Sequence, residues 1–268
     1  LADVLQQENG RLVAVGTRNS RYAKTVAESD FVLVRYLEVN EPDASTLVTL
    51  NSTGQVEIRD LWNRNDLLEV SREGNSLVFT EKSADTHAVF RVAGVEGVVG
   101  HGSKRLTIPL WVIQRTNRPL LVNTLGGDDS LTFSGDNELV PSTGFVYSGG
   151  SGTDKLTLDS SLLAADWWMP TAGNGTVTPY GLSSRSFFSI EHLVGSLAAD
   201  TFRVGAATTD TVIKMDGGAG SVNAVRLGHD ADVTLSNSKL VVSGSVIQGF
   251  SLKSIAAAFI KGGQGNNR

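Results

Sequence analysis

The sequence predicts an all-β protein: a right-handed parallel β-helix or β-solenoid with coils of about 22–25 residues, preceded by a small β cap or blade remnant. Three observations predict it. Gly is abundant (29) and Pro scarce (6), which suits many tight turns between strands that keep their ladder donors. Short alternating apolar runs recur between Gly and Asn turns, and no amphipathic helix stands out. An acidic or amide residue also recurs two positions before an apolar strand residue, at Asp129, Asp154, Asp200 and Asn223, and Asn267 fills the same place after the turn Gly262-Gly263-Gln264-Gly265.

Those five positions set the expected period. The gaps are 25 (154 − 129), 46 (200 − 154), 23 (223 − 200) and 44 (267 − 223), and the long ones are close to twice the short ones. Gly173–Val177 and Ser243–Ile247 fall where the two missing turns are expected, and Gly100–Ile108 gives an earlier one. Such units cannot bury an apolar face alone and must stack on their neighbours. Leu106, Ile108, Leu131, Phe133, Leu156, Leu158, Phe202, Val204, Val225 and Leu227 alternate along their strands and are expected to point inward.

At 268 residues the chain can bury a sizeable core. The net charge of −5 argues against nucleic acid as the main partner, since phosphate binding needs a clustered basic surface. With 0 cysteines there are no disulfides, thiolate sites or thiol chemistry. No apolar run has the length of a membrane span. The absence of a basic-then-apolar leader and the Gly-rich final residues are read as marks of a segment from a longer chain.

Residues 1–50 are expected to form a β repeat remnant or cap, and residues 51–268 the solenoid. Leu12–Val15 follows the turn Glu8-Asn9-Gly10, Gly16 and Asn19 read as turn residues, and Asp30–Tyr36 alternates strongly. Leu5–Gly16 with Asp30–Tyr36 resembles a delta-sixty-type repeat of large bacterial surface proteins, which implies a propeller-like blade. Glu41–Ser45 reads as a linker. Further on, Val56–Ile58, Leu67–Val70 and Leu77–Phe79 read as strands, and the Ala-rich run Ser254–Ile260 as a buried strand of small side chains.

The turn Gly149-Gly150-Ser151-Gly152-Thr153-Asp154 carries the chemistry. Gly149, Gly150 and Gly152 allow positive φ, which turns carbonyl oxygens to one side. Asp154 adds a carboxylate, as do Asp128 and Asp129 one coil earlier. Oxygen donors in a flexible cage suit Ca²⁺, and Gly149–Thr157 fits the Gly-Gly-x-Gly-x-Asp-x-U-x nonapeptide throughout. The alternative is that Asp and Asn cap turns through side-chain-to-backbone hydrogen bonds. Leu121–Thr132, Gly144–Gly150 and Phe188–Ser196 resemble RTX-like repeats of giant bacterial surface and adhesin-like proteins. That resemblance implies a secreted or cell-surface setting and a calcium-binding habit. The period here is longer than that of RTX rolls. The strict aspartate slot is filled by Val222, with Asn223 one later.

The four histidines, His87, His101, His192 and His229, show no metal-ligand spacing, and there is no nucleophile elbow or phosphate loop. Trp167 and Trp168 offer a sugar platform, or else a pair with one ring in the core. Glu191 reads as a turn or stacking residue. The resulting expectation is a non-enzymatic structural or adhesive segment, optionally Ca²⁺-stabilised, whose partner is a cell-surface or matrix component such as a glycan. The alternatives are a carbohydrate-active parallel β-helix enzyme or a sugar-binding module.

Overall fold

A computed structural model describes residues 3–6, 12–19, 29–36, 45–135, 143–159, 163–205, 212–220, 222–228, 232–243 and 247–261. The chain divides into two compact units, residues 1–43 and 44–268. The small unit is a three-stranded antiparallel sheet of β1 (Asp3–Gln6), β2 (Leu12–Asn19) and β3 (Ser29–Tyr36). Leu12 lies opposite Tyr36 and Asn19 opposite Ser29. Gly16 and Asn19, expected in turns, are part of β2, because the ladder with β3 runs through them.

Among the described residues the large unit is all-β apart from one short helix, and it is built on two large mixed sheets. Its strands begin with β4 (Thr46–Leu50), β5 (Val56–Asp60), β6 (Leu67–Glu73), β7 (Ser76–Glu81), β8 (Phe90–Val92) and β9 (Arg105–Pro109). After helix α1 (Leu110–Thr116) come β10 (Leu120–Asn123), β11 (Ser130–Phe133), β12 (Phe145–Ser148), β13 (Lys155–Leu158), β14 (Ala165–Thr171) and β15 (Asn174–Pro179). The chain continues through β16 (Arg185–Phe188), β17 (His192–Val194), β18 (Thr201–Val204), β19 (Ile213–Asp216), β20 (Ala224–Gly228) and β21 (Asp232–Leu235). It closes with β22 (Lys239–Ser243), β23 (Ile247–Lys253) and β24 (Ala257–Lys261).

The chain repeatedly passes from a strand of the first sheet to one of the second. These passages are β5 to β6, β10 to β11, β12 to β13, β16 to β17, β18 to β19 and, after a hairpin, β20 to β23. In the first sheet β5, β10, β12 and β16 pair in parallel, as do β14, β18, β20 and β24. In the second, β6, β11, β13, β17, β19 and β23 form one parallel series.

The register keeps the expected period only in places. Leu120 faces Phe145 (145 − 120 = 25), Thr201 faces Ala224 (224 − 201 = 23) and His192 faces Lys214 (214 − 192 = 22). Elsewhere antiparallel hairpins intervene, so Lys155 faces His192 (192 − 155 = 37) and Ser130 faces Leu67 (130 − 67 = 63). Gly173–Val177, expected as a stacked turn, is instead the turn and start of the β14–β15 hairpin. Gly100–Ile108 leads into β9, which is antiparallel to β7. Of the stretch 243–247, residues 244–246 lie outside the described residues, and its flanks are the antiparallel pair β22–β23. Asn267 and His229 lie outside the described residues.

The core runs between the two sheets, and all ten residues expected to point inward are buried there. Full burial of such side chains is worth about 1.5–3 kcal/mol each. Trp167 stacks on Phe202, its register partner, with ring centroids 5.4 Å apart. Helix α1, which the sequence reading did not foresee, starts after Pro109 and ends at Asn117 in the left-handed region (φ 51). It is short and gains its place by burying Leu110, Val112 and Ile113 rather than by propensity. The Ala-rich strand β24 lies at an edge of the first sheet, and Ala258, Phe259 and Ile260 are exposed rather than buried.

Candidate functional site

Two columns of side chains run through the turns that connect the sheets. The first occupies the crossings from first sheet to second. There Asp66, Asp129, Asp154 and Glu191 precede β6, β11, β13 and β17. The Asp66 amide donates to Asp129 Oδ1 (2.7 Å), the Asp129 amide to Asp154 Oδ1 (2.9 Å) and the Asp154 amide to Glu191 Oε2 (2.9 Å). Backbone bonds close the same steps, with the Ser130 amide on Asp66 O and the Lys155 amide on Asp129 O, both 2.8 Å. Asp66, Asp129 and Asp154 are almost fully buried, at 1%, 1% and 0% exposure. Asp128 stands outside them and is exposed; its Oδ1 accepts from the Thr153 amide (2.8 Å), while its own amide donates to Asn65 Oδ1 (2.8 Å).

The glycines expected to aim carbonyls at an ion make room for neighbouring turns instead. Gly150 and Gly152 have positive φ (101° and 140°). A Cβ on Gly150 would collide with the Leu125 carbonyl, and one on Gly152 with the Gly127 carbonyl. At Gly149 the space is taken by the Asp154 carboxylate. Among the described residues no group of three or more His, Asp or Glu side chains is arranged to hold a metal ion. The Oδ1 atoms of Asp129 and Asp154 accept from amides, the kind of bond that the turn-capping alternative calls for.

The cost of the first column is electrostatic. Burial pushes the Asp66 carboxyl up to about 8, with the charges of Asp60, Glu81 and Asp129 adding to it. Burial likewise raises Asp129 to about 7, although the Asp66 amide and the Thr124 hydroxyl hold it back. Asp154 rises to about 6, through burial and then the nearby Glu191 and Asp128. Asp66 Oδ2 and Asp154 Oδ2 have no hydrogen-bond partner among the described residues, which fits a carboxyl that keeps its proton.

The second column occupies the crossings from second sheet to first. Asp200, before β18, accepts from the Ala165 amide (2.7 Å) and from the Ser196 amide (2.6 Å) and hydroxyl (3.1 Å). Its own amide donates to Asn223 Oδ1 (2.8 Å), and Asn223 Nδ2 donates to the Gly220 and Ser254 carbonyls, both 3.0 Å. Asp200 therefore does not align with Asp129 and Asp154. The 46-residue gap between Asp154 and Asp200 is not two coils: it holds the β14–β15 hairpin and a change from one kind of crossing to the other.

Trp167 and Trp168 are neighbours on β14 and point to opposite faces. Trp167 is fully buried and has no face to offer a ligand, whereas Trp168 is 45% exposed. Two further features lie outside the sequence reading. Arg185 is buried with its guanidinium 4.4 Å from the Phe133 ring centroid, and burial lowers it to about 10. Arg203, Arg226 and Phe259 share an outer row with Trp168.

No helix among the described residues is long and apolar enough to cross a membrane. Comparisons with family models, with curated proteins and with solved structures found no match.

Proposed function

We propose that the two large sheets are the faces of a flattened, right-handed parallel β-solenoid, widened by antiparallel hairpins. We assign it a structural and adhesive, non-catalytic role in a secreted or cell-surface bacterial protein. The observation that carries the reading is the pair of turn columns, in which the side chains of Asp129, Asp154, Glu191, Asp200 and Asn223 each hydrogen-bond the backbone of a neighbouring turn. Side chains so engaged and so buried serve stacking, and they leave a substrate no access to the acids a glycoside-cleaving site would need. The resemblance of Gly149–Thr157 to RTX-like repeats supports the surface setting. Calcium remains an optional stabiliser in this reading.

Two measurements test it. Thermal unfolding is recorded with calcium and then with a chelator; the capping geometry predicts coincident curves, and a chelator-induced drop restores the ion. Beads coated with the purified chain are assayed for retention on polysaccharide-coated and matrix-coated surfaces. Retention no greater than that of albumin-coated beads would falsify the adhesive role.

A further inference from the structure

The outer face of the first sheet carries a row that its inner face does not explain. Register places Trp168 opposite Arg203, Arg203 opposite Arg226, and Arg226 opposite Phe259, on four consecutive parallel strands. Neighbouring strands stand about 4.8 Å apart, so the row sets an aromatic residue, two arginines and a second aromatic residue on successive strands. All four side chains are exposed. Arg203 reaches Asp166 on β14 (2.6 Å). Arg226 lies 5.0 Å from the Phe259 ring centroid and has no carboxylate partner among the described residues. Like charges directly opposite one another on a sheet oppose its pairing; Asp166 offsets Arg203, which leaves the Arg226 charge for an incoming anion.

Beside the row the sheet is bare. Gly228 ends β20 opposite Lys261, its φ is not in the left-handed region, and a Cβ there would meet nothing within 4 Å. The result is a groove of about 610 Å³ with the Trp168 and Phe259 rings, both arginines and Lys261 among its lining. Extending the sheet beyond β24 would add strands beside this face and would not cover it.

We propose that this groove binds a carboxylate-bearing saccharide chain, a uronate-containing glycan. Guanidiniums take carboxylates in a bidentate fork, and flat rings at either end of the row pack against the apolar faces of sugar rings. A glycan combines both features at the spacing of one charge per sugar. Nucleic acid also offers anions and flat faces, but the chain's net charge of −5 opposes a polyphosphate. The proposal names the ligand of the adhesive reading above and rests on it.

The test titrates the purified chain with a uronic-acid hexasaccharide, followed by calorimetry and tryptophan fluorescence. A carboxyl-reduced, neutral hexasaccharide and a single-stranded oligonucleotide serve as comparison ligands. The acidic sugar should bind, with salt weakening it and the neutral sugar binding roughly tenfold or more weakly. Arg226→Ala should lose roughly tenfold in affinity. Gly228→Val should fill the groove and abolish binding while leaving the unfolding midpoint unchanged. The proposal is overturned if the acidic sugar does not bind, if either variant binds as well as wild type, or if the oligonucleotide binds as tightly. Urea unfolding of the same samples separates this failure from that of the fold: a cooperative transition without sugar binding removes the groove alone.

Discussion

The two columns of turn side chains solve one problem with different chemistry. At crossings from the first sheet to the second, Asp66, Asp129 and Asp154 are almost fully buried, and each successive pair is joined by one amide-to-carboxylate bond. At the return crossings Asp200 is surrounded by the Ser196 amide, the Ser196 hydroxyl and the Ala165 amide, and the next position is a neutral Asn223. The first column has more acids than donors; the second has nearly matched them. A buried carboxylate with too few donors lowers its cost by keeping a proton; burial raises Asp200 as well, but the Ser196 and Ala165 donors hold it back. Stacking therefore tolerates either solution, and the first column, with three raised acids and fewer donors, should respond more strongly to pH than the second.

Replacements can break this comparison. The largest effect is expected from Gly150→Ala, because it combines strain at φ 101° with collision against the Leu125 carbonyl. A loss of roughly 3 kcal/mol or more in urea unfolding is predicted. Gly54→Ala has a similar φ sign but open space, and should lose only about 1 kcal/mol. An equal loss at both sites would mean that stacking does not constrain the Gly150 turn.

Asp200→Asn and Asp129→Asn should separate in sign. The first places an amide NH2 among donors and should lose roughly 1–3 kcal/mol at neutral pH. The second keeps an acceptor for the Asp66 amide while removing a buried charge. It should lie within about 1 kcal/mol of wild type at pH 5 and exceed wild type at pH 8. Equal losses for both, measured by denaturant midpoint, would show that the columns are energetically alike.

The pH profile itself sharpens the point. A carboxyl raised in the folded state holds a proton that the unfolded chain has already released, so folding gains from acid and loses as pH rises. For Asp154, Asp129 and Asp66, raised to about 6, 7 and 8, the loss should accumulate from about pH 4 to about pH 8. Midpoints at pH 5 and pH 8 test this, and an Asp66→Asn, Asp129→Asn double variant should flatten the profile. The smallest effect is expected at Asp128→Ala. There an exposed bond to the Thr153 amide is lost, worth about 0.5–1 kcal/mol.

Much of the first column was readable. The rule of an acid or amide two residues before an inward residue holds at Asp66 before Leu68 and Glu191 before Leu193, as well as at Asp129, Asp154, Asp200 and Asn223. Asp66 escaped because the 63 residues to Asp129 (129 − 66) contain the β6–β7 hairpin, β8, β9 and α1, which hide the period. Asp200 was misplaced because spacing along a chain does not say which kind of crossing a turn makes. The outer row was unreadable beyond Trp168: Arg203, Arg226 and Phe259 are far apart in sequence and meet only through parallel register.

By itself the sequence determined the β class, the inward faces of the strands and the turns that need glycine. Those follow from alternation and backbone sterics, which act within a few residues. The tertiary structure alone decided which turns stack on which, because hairpins of different length enter between repeats. It also decided that Asp129 Oδ1 and Asp154 Oδ1 accept from the amides of neighbouring turns, and that two arginines stand side by side between aromatic residues. Such facts depend on the register between distant strands, and a register is fixed by packing across the whole sheet.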